Sequence, residues 1–210
     1  MLRVLIADDH PVFREGLKQI INETNDLMVA RESSDGFEAL KQLREGSYDL
    51  ALLDISLPDI NGIEILKHLK TEKIGIPVLI LTMHPEEQYA IRALKAGASG
   101  YLTKESTPNE LVTAIRKISK GGKYISSSLA EKLASEVGRI DVKASHEMLS
   151  DREYQIMLLI ASGKTVSQIA ERLSLSIKTI STYRSRILEK MGMQTNAELT
   201  YFAIKNQLVD

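Results

Sequence analysis

Short apolar runs rich in Val, Ile and Leu alternate with longer amphipathic stretches over the first 120 residues. The runs Arg3–Asp8, Met28–Ser33, Leu50–Asp54, Val78–Thr82 and Gly100–Thr103 have the length and side-chain types of β-strands. Between them, apolar positions recur at helical spacing near Val12–Glu23, Gly36–Arg44, Gly62–Leu69, Glu86–Ala96 and Pro108–Lys120, with Phe37, Leu40 and Leu43 marking the second stretch. Strands alternating with helices predict an α/β domain whose parallel sheet is covered on both faces. The unbroken run Leu50-Ala51-Leu52-Leu53 fits a central strand buried on both sides.

Beyond Lys120 the pattern changes. Gly121-Gly122 ends the fifth helix, and the region after it carries balanced charge with one short helical stretch near Leu129–Val137, so 121–147 reads as a linker. From Leu149 onward the periodicity is helical throughout. Ser150 and Glu153 form a capping box that opens a helix through Ile156, Leu159 and Ile160, ending at Gly163. A second helix, Val166–Leu173, leads through the turn Ser174-Leu175-Ser176 to a third, Ile177–Met191, capped by Ser176 and ended by Gly192. Ile180, Ile187, Leu188 and Met191 give that third helix an apolar face. Lys178, Thr179, Ser181, Thr182, Arg184, Ser185 and Arg186 lie mostly opposite, polar and net positive. A last helix spans Ala197–Gln207. The chain divides into an α/β domain over 1–120, the linker over 121–147 and an all-α domain over 148–210.

Composition adds exclusions. With 210 residues the chain accommodates two small domains, and 26% charged and 43% hydrophobic residues are ordinary for globular protein. It holds 0 cysteines, which excludes disulfides and thiolate metal sites. No apolar run approaches the ~20 residues that cross a bilayer. The opening Met1–Asp8 reads as a strand rather than a signal peptide, so a soluble cytoplasmic protein is expected. The net charge of −1 conceals an asymmetry: residues 1–120 carry 15 Lys and Arg against 18 Asp and Glu, whereas residues 148–210 carry 8 against 6.

The candidate chemistry sits where strands end. Asp8 and Asp9 close the first strand and Asp54 the third, and ligands of open parallel sheets bind beyond the carboxyl ends of the strands. Three converging carboxylates repel one another unless a cation lies between them. With oxygen donors only, and no His or Cys expected beside them, the chemistry favours Mg²⁺. Thr82 at the end of the fourth strand supplies a hydroxyl, and Lys104 after the fifth a positive charge. A carboxylate nucleophile, a metal and a lysine are the parts phosphoryl transfer requires. Singly, each has a bland reading: an Asp at a strand end is more often a cap, and a loop Lys is usually solvated. Their joint placement on four strands carries the signal.

Ile6-Ala7-Asp8-Asp9-His10, Leu53-Asp54-Ile55-Ser56-Leu57-Pro58-Asp59-Ile60-Asn61-Gly62, Leu81-Thr82 and Tyr101-Leu102-Thr103-Lys104 resemble the signature of response-regulator receiver domains. The resemblance implies a flavodoxin-like fold of strand order 2-1-3-4-5. It further implies that Asp54 accepts a phosphoryl group from a sensor histidine kinase. Asp8, Asp9, Asp54 and the Ile55 carbonyl would hold Mg²⁺. Lys104 would pair with the phosphoryl oxygens, Thr82 would hydrogen-bond to them, and Tyr101 would turn inward as a switch. Ser56 and His84 would tune the lifetime of the phosphate. Many receivers have Pro after the lysine, where Glu105 stands here; the isomer of that peptide stays open.

Leu149-Ser150-Asp151-Arg152-Glu153, Ile169-Ala170-Glu171-Arg172-Leu173, Ser176-Ile177-Lys178-Thr179-Ile180, Ile187-Leu188-Glu189-Lys190-Met191-Gly192 and Asn196-Ala197-Glu198-Leu199 resemble the LuxR-type helix-turn-helix. Together the two halves are similar to NarL/FixJ-family transcription regulators. That implies double-stranded promoter DNA as partner, with Ser181, Thr182 and Ser185 toward base edges. Lys178, Thr179, Arg184, Arg186 and Lys190 would contact phosphates, and Tyr183, where the family usually has His, could donate to one as well. A phosphorylation-dependent homodimer is implied, and contact with RNA polymerase is compatible with it. An aspartyl-phosphate phosphatase would share Asp54, Thr82 and Lys104 but needs a second Asp where Ser56 stands, so no enzyme activity is expected beyond slow self-phosphorylation and self-dephosphorylation at Asp54. Two further rivals are a receiver acting without phosphorylation and an adaptor acting without DNA.

Overall fold

The computed structural model describes residues 1–127, 129–131 and 148–209. The chain separates into two compact units, Met1–Glu136 and Val137–Asp210.

In the first unit, β1 (Leu2–Ala7), β2 (Leu27–Ser33), β3 (Leu50–Leu53), β4 (Val78–Thr82) and β5 (Gly100–Thr103) form one parallel sheet of order β2-β1-β3-β4-β5. This is the flavodoxin-like architecture the sequence predicts. β3 and β4 are buried along their whole length, as strands covered on both faces require. Helices α1 (Pro11–Asn22), α2 (Gly36–Glu45), α3 (Gly62–Thr71) and α4 (Glu86–Ala96) connect the strands in turn, and α5 (Pro108–Ser119) follows β5.

Alternation along the strands sorts their side chains between the faces. Val4, Ile6, Leu50, Leu52, Leu79 and Leu81 pack with Leu17 and Ile21 of α1 and Leu111, Ile115 and Ile118 of α5 in one continuous core. Local chemistry sets where the helices begin. Pro11 starts α1, Asp35 caps α2, and Asn61 and Thr107 open α3 and α5 with full capping boxes to Glu64 and Glu110.

The unit continues past the predicted domain edge at 120. Tyr124 bridges in parallel to Gly100, with Tyr101 N donating to Tyr124 O at 3.1 Å and Tyr124 N to Ser99 O at 3.0 Å. Ser126 Oγ then donates to Glu86 at 2.5 Å, and Leu129 is buried. The first residues read as linker therefore finish the open edge of β5. The helical stretch expected near Leu129–Val137 lies largely outside the described residues.

The second unit contains α6 (Asp151–Ala161), α7 (Val166–Arg172), α8 (Ile177–Met191) and α9 (Asn196–Lys205). Its helix starts follow the same logic: Ser150, Thr165 and Thr195 form capping boxes with Glu153, Gln168 and Glu198, while Ser176 caps α8. Gly192 ends α8 at φ 66°, a left-handed conformation that favours glycine. The buried residues of α8 are Ile180, Ile187, Leu188 and Met191, the four expected from periodicity. No helix among the described residues is long and apolar enough to cross a membrane.

Candidate functional site

At the carboxyl edge of the sheet, β1 delivers Asp8 and Asp9, β3 delivers Asp54, β4 ends in Thr82 and β5 leads into Lys104. Lys104 Nζ lies 2.7 Å from Asp54 Oδ2 and 2.6 Å from Asp8 Oδ2, and the side chains of Lys104, Asp8 and Asp54 are only 3%, 3% and 2% exposed. Burial raises the Asp8 carboxyl above its ordinary range despite the hydrogen bond from Lys104. For Lys104, burial would lower the ammonium's pKa, but Asp54 and Asp8 outweigh it and the net direction is upward. The lysine is held charged between two acids in a low-dielectric pocket.

The backbone completes this arrangement. Asp54 N donates to Ala7 O at 2.9 Å, Lys104 N to Thr82 O at 2.8 Å, and Ser56 N to Asp54 Oδ1 at 3.2 Å. A Cβ on Gly62 would come within 2.3 Å of Asp54 O, so the β3–α3 loop passes the acid at a distance only glycine allows. Gly62 N donates to Ile55 O at 3.0 Å, which commits one of that carbonyl's two lone pairs and leaves one for an ion. The Lys104–Glu105 peptide is trans.

Thr82 and Tyr101 are fully buried. Tyr101 donates its hydroxyl to His84 O at 2.9 Å, and His84 N donates to Thr82 Oγ1 at 3.5 Å. Ser56 Oγ and His84 Nε2 are 2.8 Å apart, while the His84 ring lies 4.7 Å from that of Tyr89.

Two residues near this pocket carry no role in the sequence reading. His10 brings an imidazole to it: one donor atom from each of Asp8, Asp9, His10 and Asp54 lies within 4.8 Å of all the others. An imidazole therefore stands beside the carboxylates, where the sequence reading expected no His. His10 directly follows Asp8-Asp9, and Pro11 starts α1 at once, so the ring stays beside the carboxylates. Phe13, one turn into α1, places its ring centroid 4.7 Å from Lys104 Nζ, a cation–π contact. A mostly apolar groove of about 410 Å³ between α1 and α5, walled by Phe13, Leu17, Ile20 and Leu111, opens beside His10 and Lys104.

In the second unit, α7 and α8 flank the turn Leu173–Ser176. Lys178, Ser181, Thr182, Ser185 and Arg186 on α8 are exposed, and Thr179, Tyr183 and Arg184 are half-buried. Some are already engaged. Thr182 and Ser185 hydroxyls donate to the carbonyls four residues back, at 3.0 and 3.2 Å, and Arg184 Nε donates to Asn196 Oδ1 at 2.6 Å. Lys190 Nζ is held 2.6 Å from Glu153, whose side chain is 5% exposed. A phosphate contact from Lys190 would strip that buried carboxylate of its partner.

An acidic pocket with a buried lysine on a doubly wound sheet, followed in the chain by a helix-turn-helix, defines the response-regulator class. Comparison with known proteins agrees. The family described as response regulator receiver domain matches residues 4–116, and that described as bacterial regulatory proteins, luxR family, matches 147–203. The response regulator UvrY of Escherichia coli K12 is 36% identical over 209 residues, 99% of this chain and 96% of its own. The response regulator GacA of Pseudomonas viridiflava is 37% identical over 211 residues, covering 100% and 99%. A structure of RcsB from Salmonella enterica serovar Typhimurium, bound to promoter rprA in the presence of phosphomimetic BeF₃⁻, shares 25% identity. It aligns with a TM-score of 0.64 over 96% of this chain and 98% of RcsB. The chain belongs to the NarL/FixJ family of two-component response regulators, with a LuxR-type DNA-binding domain, and is a transcription regulator.

Proposed function

We propose that Asp54 is the phosphoacceptor and that its phosphorylation by a sensor histidine kinase controls promoter binding. The observation that carries this reading is the buried Asp54–Lys104–Asp8 triad, 2.7 and 2.6 Å across its two contacts. Asp54 Oδ attacks phosphorus, the P–N bond to the kinase histidine breaks, and its electrons stay on the imidazole. Lys104 then moves its attraction from carboxylate to phosphoryl oxygens, and Thr82 donates its hydroxyl to one of them. Asp8, Asp9 and Asp54, with the Ile55 carbonyl, fit Mg²⁺, since Asp9 Oδ1 is buried without a hydrogen bond and the donors already converge. A bound ion neutralises charge on the transferring group. The groove beside Lys104 supports docking of the kinase domain that carries the histidine.

Ser56 and His84, paired at 2.8 Å, stand two residues beyond Asp54 and Thr82 and tune how long the phosphate persists. Hydrolysis here is slow self-dephosphorylation rather than enzyme turnover. Tyr101, in contact with the Thr82–Pro85 segment, is the aromatic switch.

Phosphorylation promotes dimerisation, release of α8, or both, a population shift between two states. The exposed Tyr201 and Ile204 on α9 suit a contact between two copies on DNA. Ser181, Thr182 and Ser185 read bases, and Lys178, Thr179, Tyr183, Arg184 and Arg186 contact phosphates. The structure of RcsB on a promoter with a phosphomimetic supports both halves of this scheme. The protein works in the cytoplasm, with RNA polymerase as a further partner, and its receiver domain ends past 120.

The test is incubation of the full chain with acetyl phosphate and Mg²⁺, followed by intact mass, oligomeric state and promoter binding. A phosphoryl adduct on wild type, absent from Asp54→Ala, is expected. No adduct under any Mg²⁺ condition would refute the phosphoacceptor assignment.

A further inference from the structure

Lys104 and His10 meet the acidic pocket at different oxygens, with Lys104 Nζ itself 3.5 Å from His10 Nδ1. Lys104 engages Oδ2 of Asp8 and Oδ2 of Asp54. His10 Nδ1 instead approaches Oδ1 of Asp9 at 2.7 Å and Oδ1 of Asp8 at 3.4 Å. Asp9 Oδ1 is buried and makes no hydrogen bond, so its close approach to the imidazole lacks hydrogen-bond geometry. A nitrogen thus stands beside Oδ1 of Asp8 and of Asp9, and its one contact with the lysine is a long one, 3.5 Å.

Local structure holds it there. His10 is the N-cap residue of α1, yet its side chain makes no capping hydrogen bond. Its backbone N–H donates to Asp8 Oδ1 at 2.8 Å, and Pro11 fixes the chain direction immediately after. The ring is 60% exposed and within reach of an incoming ion. Opposite ligands of an octahedral ion with bonds of about 2.1 Å lie about 4.2 Å apart. The four donors all lie within 4.8 Å of one another, a spread of the same order.

Three carboxylates make a hard oxygen site that suits Mg²⁺. Adding an imidazole favours the borderline divalent transition ions, whose affinity for nitrogen donors exceeds that of Mg²⁺. We propose that His10 is a fourth protein ligand of the cation site and lets the pocket take a borderline divalent ion, with Mn²⁺ as probe, more tightly than the carboxylates alone would. The inference rests on the acidic pocket being a cation site.

The experiment titrates Mg²⁺ and Mn²⁺ calorimetrically into the full-length wild type, His10→Ala, His10→Gln and Asp9→Asn. Electron spin-echo spectra of bound Mn²⁺ are recorded in parallel, and circular-dichroism melts in EDTA establish that each variant is folded. His10→Ala is expected to weaken Mn²⁺ binding about tenfold or more while changing Mg²⁺ binding less than about twofold. Modulation from a directly bound ¹⁴N is expected in wild type and absent from both His10 variants. Equal weakening of the two ions, or Mn²⁺ bound to wild type without ¹⁴N modulation, would overturn the role of His10. Mg²⁺ binding that Asp9→Asn abolishes would sustain the acidic site even then. Failure of wild type to bind either ion would overturn both.

Discussion

Lys104 shows how much a single side chain is asked to do before any phosphate arrives. It neutralises two carboxylates that burial alone would penalise, and Phe13 lies 4.7 Å from it. Taking away one partner of a buried charge cluster leaves the others uncompensated, at about 3 kcal/mol or more. Lys104→Ala is therefore expected to lower unfolding stability by about 3 kcal/mol in EDTA. Added Mg²⁺ should restore more stability to the variant than it adds to wild type. Urea unfolding with and without the ion measures both effects, and a variant as stable as wild type in EDTA would show that the pocket does not need its lysine. Asp8, Asp54, Thr82 and Lys104 were legible in the sequence because each ends or follows a strand, where side chains of a parallel sheet converge. His10 and Phe13 were not. Their approach depends on how β1 turns into α1, and no periodicity encodes that turn.

At the scale of elements, the starts of helices were the most readable feature, since Ser150–Glu153 and Ser176 announce caps in residue type and spacing. Glu153 then exceeds its capping role, because α6 and α8 pack together and its carboxylate also receives Lys190 at 2.6 Å. Burial pushes the Glu153 carboxyl up, but the hydrogen bonds from Lys190 and Ser150 outweigh it and hold it below the usual range. A carboxyl depressed in the folded state contributes stability above its unfolded pKa, 4.5, and loses it as pH falls through the folded value. Glu153→Gln should thus destabilise the helical domain at neutral pH by about 1–2 kcal/mol. It should also flatten the acid limb of stability below pH 4.5. Unfolding curves of the full chain between neutral pH and pH 3 test this, and parallel acid limbs for variant and wild type would refute it. Tyr124 falls in the stretch read as linker and bridges to Gly100. Its place on the edge of β5 comes from pairing with a strand more than twenty residues earlier, which composition does not reveal.

For the whole molecule, the excess of Lys and Arg over residues 148–210 accords with the proposed nucleic-acid face on α8, and ion pairing separates the cations there. Each phosphate neutralised on duplex DNA contributes about −0.9 to the slope of log K against log salt. Arg186 is exposed, and Arg186→Ala is expected to weaken promoter and non-promoter duplexes alike and reduce the slope by about one unit. Lys190 was assigned to phosphate by resemblance, yet its ammonium already belongs to Glu153. Lys190→Ala should leave the salt slope unchanged while lowering the stability of the helical domain. Binding isotherms of acetyl-phosphate-treated protein over a range of KCl concentrations, together with urea unfolding of both variants, separate the two roles. If Lys190→Ala lowered the slope as Arg186→Ala does, the lysine would have to leave its buried partner on binding DNA. Glu153 would then be a group whose environment changes between the free and bound states.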